Sequence, residues 1–126
     1  MLQNFILVGF GGLIGSVGRY FCSIVISRLY PTVTFPYGTL FVNVLGCFFI
    51  GFLGGVGANK QLFAEAGRIF LFTGILGGFT TFSAFGLETF YFIRTSQWSF
   101  LFLNVFLQIT FGIGAVILGY WLSKFI

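Results

Sequence analysis

Four apolar runs of membrane-spanning length, parted by short polar or proline-bearing breaks, leave this 126-residue chain few ways to fold. A hydrocarbon core about 30 Å thick takes roughly 20 apolar helical residues to cross. Runs at about 5–26, 37–56, 69–93 and 98–122 each reach that length. A soluble fold of this size would have to cover itself with polar groups, yet charged residues make up 6% of the chain and hydrophobic ones 58%. Mean hydropathy is +1.08. The fold class expected is an all-α membrane protein of four transmembrane helices in one transmembrane domain, with the lipid bilayer as its solvent.

The breaks have local causes. Pro31 and Pro36 oppose continued helix, and Tyr30 and Tyr37 flank them as interfacial anchors. Asn59, Lys60, Gln61, Glu65 and Arg68 put the next connection at a water boundary, and Arg94, Thr95, Ser96 and Gln97 make a very short third turn. Trp98 and Trp121 bracket the last helix. The first run lacks a basic leader and a small-residue cleavage site, so insertion is expected to use the first helix itself. Gly11 and Gly15, Gly51 and Gly55, and Gly74 and Gly78 stand at the four-residue spacing that lets helix backbones approach in lipid.

Six Lys and Arg against two acids could suggest a nucleic-acid partner, but these charges are scattered singly and form no basic patch. With no His and two acids, no nucleophile and base pair can be assembled, so an enzyme is not expected. Cys22 and Cys47 lie in apolar runs without metal-ligand spacing and read as small buried hydrophobes. Four helices put both termini on one side. Lys60, Arg68 and Lys124 fall there, against Arg28, Arg94 and the deeper Arg19 opposite. Three against three gives the positive-inside rule nothing to act on, so the chain is expected to insert both ways.

Polar groups inside the runs are expensive and point to function. Arg19 lies well inside the first helix, on the same half of the membrane as Glu88 of the third. Two uses are open to it: a contact with Glu88 or backbone, or a fixed positive charge drawing anions into a vestibule. Thr39 and Asn43 share a face of the second helix, as Asn104 and Gln108 do on the fourth. Each pair serves either as glue between helices or as a polar track for an ion. The third helix reads GGFTTFS in mid-span. Gly77 and Gly78 are poor helix formers, while Thr80, Thr81 and Ser83 can satisfy freed backbone groups, so a broken helix near the midplane is expected. Phe79, Phe82 and Phe85 surround the break, and the positive edges of such rings can face an anion.

The segments GGLIGSVGRY, GTLFVNVLGCFFIG and GILGGFTTFSAFGLETF, in that order, resemble the Fluc or CrcB fluoride channels. The resemblance implies an antiparallel, dual-topology homodimer in a bacterial plasma or inner membrane, with two pores that let fluoride leave the cytoplasm passively. It implies that Phe82 and Phe85 line the pores edge-on, that Asn43 is the pore asparagine, and that Arg19 and Glu88 are the family's first-helix Arg and third-helix Glu. It also implies a structural sodium ion on main-chain carbonyls of Gly77 and Thr80. Thr39, Thr81, Ser83, Asn104 and Gln108 complete the expected fluoride pathway, although position 112, where such a track would continue, is Gly. The rival is a small multidrug-type proton-coupled transporter, which shares size and dual topology but needs a carboxylate in its first helix, where this chain has Arg19.

Overall fold

The computed structural model describes residues 1–30, 34–60 and 63–126, and the regular structure among them is helical. Helix α1 spans Leu2–Leu29 and α2 spans Tyr37–Lys60. The third membrane-length segment comes in two pieces. Its first, α3 (residues 65–79), joins an α-turn at Glu65–Arg68, a π-helical stretch at Ile69–Leu76 and a further α-turn at Gly77–Phe79. Its second, α4, spans Phe82–Arg94. Helix α5 covers Trp98–Leu122 and tightens into a 3₁₀ turn at Ser123–Phe125. Among the described residues four stretches are long and apolar enough to cross a membrane: Leu2–Leu29, Tyr37–Ala58, Glu65–Arg94 and Trp98–Phe125. The helices thus outrun the apolar runs, because polar residues such as Gln3, Asn4 and Arg28 shorten a hydropathy window without stopping a helix. The expected loop residue Pro31 and the polar Gln61 lie outside the described residues.

Phe5, Phe10, Phe21, Phe102 and Phe106 are all more than half exposed, and the enclosed apolar core is small, centred on Val42. In lipid this is the expected arrangement, since apolar side chains gain nothing by leaving the tails and helices associate instead through close backbone packing. The glycine pairs supply it. A Cβ at Gly11 would stand 2.7 Å from the Phe70 carbonyl oxygen and one at Gly78 2.7 Å from that of Gly12, so α1 and α3 touch backbone to backbone. Gly51 and Gly119 do the same for α2 and α5, against Val116 and Phe48 respectively; these two helices pack most extensively of all.

One end of the bundle is closed by rings. Tyr30 and Tyr37 lie 5.1 Å apart between centroids, Tyr37 meets the buried Phe35 at 4.9 Å, and Phe35 and Phe92 both approach Phe100. The two anchors on either side of the proline-bearing break therefore also hold α1 against α2.

Candidate functional site: a groove at the helix break

Backbone geometry, more than glycine content, sets where the third segment breaks. Gly77, Gly78 and Phe79 stay helical, and Thr80 (φ −86°, ψ 158°) and Thr81 (φ −149°, ψ 113°) are extended. Two extended residues forfeit helical hydrogen bonds, and the neighbours replace them. Thr80 still donates its N–H and its hydroxyl to the Leu76 carbonyl, each at 3.1 Å. Thr81 caps α4 by accepting the Ala84 N–H on its hydroxyl at 3.2 Å, and that hydroxyl also lies 3.3 Å from the Ser83 Oγ.

Asn43 repairs the rest. An extended residue points its N–H and C=O to the same side, and a carboxamide offers one acceptor and one donor side by side, as a facing strand would. Asn43 Oδ1 accepts the Thr81 N–H at 2.8 Å, and its Nδ2 donates to the Thr81 carbonyl at 3.0 Å. This pairing fixes the orientation of the amide. The second Nδ2 bond, 3.1 Å to Gln108, must then go to Oε1, which leaves Gln108 Nε2 as a buried donor without a partner among the described residues. Because the Thr81 N–H turns to Asn43 and the Ala84 N–H to the Thr81 hydroxyl, the Gly77 and Thr80 carbonyls lose their usual i+4 donors. Two carbonyls freed in this way suit a hard cation that takes oxygen ligands, so the Gly77 and Thr80 pair fits the sodium expected from the resemblance.

Beside the break runs an open groove of about 310 Å³, lined among others by Asn43, Thr80, Thr81, Phe82, Phe85 and Gln108. The Phe82 and Phe85 rings stand 5.5 Å apart, tilted by 59°, and Phe82 is 83% exposed in the single chain. Cys47 and Ile50 add to the wall from α2. The groove thus combines the Phe82 and Phe85 rings, the Gln108 amide and the positive end of the α4 dipole, and among the described residues its lining holds neither a Lys nor an Arg. Such a wall attracts an anion weakly.

The remaining expected site residues divide. Ser83 joins the cluster through Thr81. Thr39 does not line this groove; its hydroxyl donates to Glu88 Oε1, and the other oxygen of that carboxylate is buried without a partner among the described residues. Glu88 instead faces a second cavity of about 320 Å³ with Thr34, Tyr91, Thr95 and Gln97, towards the end of α4. Asn104 is fully buried and bonds Thr89, a residue for which sequence spacing gave no signal. Arg19 is half-buried on α1, and among the described residues no ion pair joins it to Glu88. Of the two uses open to it, the Glu88 contact is not made.

A family model described as CrcB-like protein, Camphor Resistance (CrcB), matches residues 6–120. The Fluoride-specific ion channel FluC of Azobacteroides pseudotrichonymphae is 44% identical over 125 residues, which cover 99% of this chain and 99% of that protein. The protein of the same name from Elusimicrobium minutum is 42% identical, covering 100% of this chain and 98% of its own length. That of Helicobacter pylori is 40% identical, with 95% and 92% covered.

Proposed function

This chain belongs to the CrcB family, and on that premise we propose that it is a fluoride-specific ion channel, a multi-pass protein of a bacterial membrane and not an enzyme. The observation that carries the reading is the ring pair Phe82 and Phe85 set beside the Asn43 amide at a helix break. Fluoride is small and strongly hydrated, so water stripped from it must be replaced along the path. A Lys or Arg at the narrowest point would hold the ion too long, because conduction requires binding weak enough to leave. Ring edges give a softer field. With both Nδ2 hydrogens of Asn43 taken by Thr81 and Gln108, the buried Gln108 Nε2, without a partner among the described residues, is the side-chain amide donor left at the same groove. Thr39 and Glu88 lie further along α2 and α4, towards the second cavity. Arg19 raises the local anion concentration without touching the narrow part.

The working unit in this proposal is an antiparallel homodimer with two pores. Balanced Lys and Arg counts support it, as does the exposure of Phe82, which a partner would cover. A copy that conducts while monomeric on gel filtration would rule it out. Main-chain carbonyls of Gly77 and Thr80 would hold a structural sodium ion, whose charge would tie the two freed carbonyls together; flux indifferent to replacing sodium with a large organic cation would count against it. Fluoride enters a cell as neutral hydrofluoric acid and is trapped as the ion at cytoplasmic pH, so the path serves passive export. The multidrug-transporter alternative has no support in α1, which contains no carboxylate.

The test is fluoride efflux from liposomes at matched protein density. Phe82→Ile and Phe85→Ile should each lower flux at least about tenfold with the dimer intact, the factor matched to loss of one charge-assisted contact. Met or Tyr at either position should give intermediate values, since each keeps some capacity for positive contact. If both Ile variants form normal dimers and conduct like the parent, the rings are packing residues and the pore lies elsewhere.

A further inference from the structure

Asn104 has no exposed surface in the single chain, so as placed it cannot line an open ion path. Among the described residues its one side-chain hydrogen bond runs from Nδ2 to the Thr89 Oγ1 at 3.2 Å. Thr89 in turn donates its hydroxyl hydrogen to the Phe85 carbonyl at 2.7 Å. The direction of this relay is settled by chemistry: having given its only hydrogen to Phe85, the Thr89 hydroxyl can only accept, and Asn104 must supply the donor. A second hydrogen bond on the carbonyl of residue i−4 bends a helix locally. Here that bond spans Phe85 to Thr89, about one turn beyond the extended residues, so it acts on the part of α4 that carries the Phe85 ring.

We propose that Asn104 and Thr89 form a positioning pair that aims the Phe85 ring, acting through the Phe85 carbonyl and never touching the ion. The idea rests on the reading of Phe85 as a pore residue. Helix α4 packs sparingly against its neighbours, and among the described residues Asn104 to Thr89 is the one side-chain hydrogen bond between α4 and α5. The other polar ties of the break and α4 run to α2, from Asn43 and Thr39. Without the α5 tie, the part of α4 next to the break is held by hydrogen bonds to α2 alone, and Phe92 against Phe100 steadies only its far end, so the aim of Phe85 is less fixed.

Stability separates this role from a merely structural one. Asn104 Oδ1 is buried without a partner among the described residues, so the amide is a half-satisfied group whose replacement by an apolar side chain of similar size costs the bundle little. Asn104→Leu should therefore melt within a few degrees of the parent, or above it, and still lose flux. Thr89→Val, which keeps shape and removes the hydroxyl, should lose flux equally but melt lower, because it strands the buried Asn104 amide, whereas Thr89→Ser should melt and conduct like the parent. Flux should fall about fivefold to tenfold in each of the first two, the factor expected when one ordinary hydrogen bond is lost from a rate-determining geometry. The double variant should be no slower than either single one, because both break the same relay.

The experiment is fluoride efflux from liposomes for these four variants and Phe85→Ile, with thermal melts and gel filtration of each. A Phe85→Ile protein that conducts normally overturns the pore reading. Blocked Phe85→Ile beside Thr89→Val and Asn104→Leu proteins that conduct like the parent overturns the positioning pair alone. Additive losses in the double variant, or a Thr89→Ser loss equal to that of Thr89→Val, also overturn it. Should Asn104→Leu fail to fold, the Thr89 variants decide.

Discussion

Before the break, α3 lies backbone to backbone on α1; after it, α4 touches the bundle through side chains, by hydrogen bonds near the break and by the buried Phe92 against Phe100 near its far end. In α3 the contacts are Gly74 on Gly11 and Gly78 on Gly12, with no room for a Cβ. In α4 a Cβ at Gly86 would meet nothing within 4 Å, and the ties are Asn43 to Thr81, Thr39 to Glu88 and Asn104 to Thr89. A packed backbone has one arrangement, because dispersion falls off steeply with distance. A helix held by a few directional bonds keeps a definite orientation with less contact area. The two halves of one span therefore divide the labour: the first anchors the break and the second presents the rings.

The sharpest way to break this comparison is to add side chains to each half. Gly78→Val would drive its Cβ into the Gly12 backbone, where neither side is a flexible side chain that could yield. A loss of at least about 3 kcal/mol is expected, at the upper end for overpacking, seen as failure to recover folded protein in detergent. Gly15→Val should behave alike, since its Cβ would collide with the Ile75 carbonyl. Gly86→Ala should be recovered in parental yield. Equal damage from Gly86→Ala would mean that α4 is packed as tightly as α3, by a partner chain if not by its own.

A smaller effect is expected at the junction. Asn43→Leu removes both partners of the extended Thr81, leaving its N–H and C=O unpaired in a part-buried place. At about 1–3 kcal/mol for each stranded group, partly offset by relaxation, the loss should be about 2–4 kcal/mol. A thermal melt in detergent reads it. Asn43→Asp should fall between Leu and the parent, since a carboxylate accepts the Thr81 N–H but cannot donate to its carbonyl. An Asn43→Leu protein that melts with the parent would show that water or the local backbone satisfies the break, and the repair assigned to Asn43 would be wrong.

What could be foreseen from sequence follows from which physics leaves a trace in composition. Apolar length gave the four spans, and the small-residue spacing marked Gly11, Gly15, Gly51, Gly74 and Gly78 as points of close approach, because both depend on residue type alone; which helix each would meet it did not give. The break was foreseen within the right seven residues but for an incomplete reason. Gly77 and Gly78 are poor helix formers in water, yet Gly78 is needed for close approach to Gly12 and stays helical; the chain opens where Thr81 and Asn43 can replace the lost bonds. The π-helical stretch Ile69–Leu76 had no signature, since a shifted hydrogen-bond register leaves a uniformly apolar segment unchanged in composition. Depth along a helix put Arg19 near Glu88, but depth does not give rotation about the helix axis, and Glu88 meets Thr39 instead. Thr89 was invisible for a similar reason: a lone Thr in an apolar helix most often bonds its own backbone, and only the structure brings Asn104 to it.

The smallest expected effect concerns how α4 ends. Ser96 has φ 55°, the left-handed region, in the position where such caps usually hold glycine. The Gln97 N–H reaches back to the Phe92 carbonyl at 2.8 Å and the Ser96 N–H to that of Ile93 at 3.1 Å, the paired bonds of a Schellman cap. A side chain in this conformation crowds its Cβ against backbone oxygen at a cost of about 1 kcal/mol. Ser96→Gly should therefore raise the melting temperature slightly, by the equivalent of about 0.5–1 kcal/mol after glycine's greater freedom in the unfolded chain is set against the relief. Ser96→Val should lower it by more, because a β-branched side chain fits the left-handed region worst. Neither change touches the bonds from Asn43, Thr39 or Asn104, so fluoride flux at matched density should stay within about twofold of the parent, the spread expected when a rate-setting barrier moves by less than ordinary hydrogen-bond strength. A flux change that follows the melting temperature through this pair would mean that the far end of α4 also sets the aim of its rings. The directional ties near the break would then not be enough to hold the second half of the span.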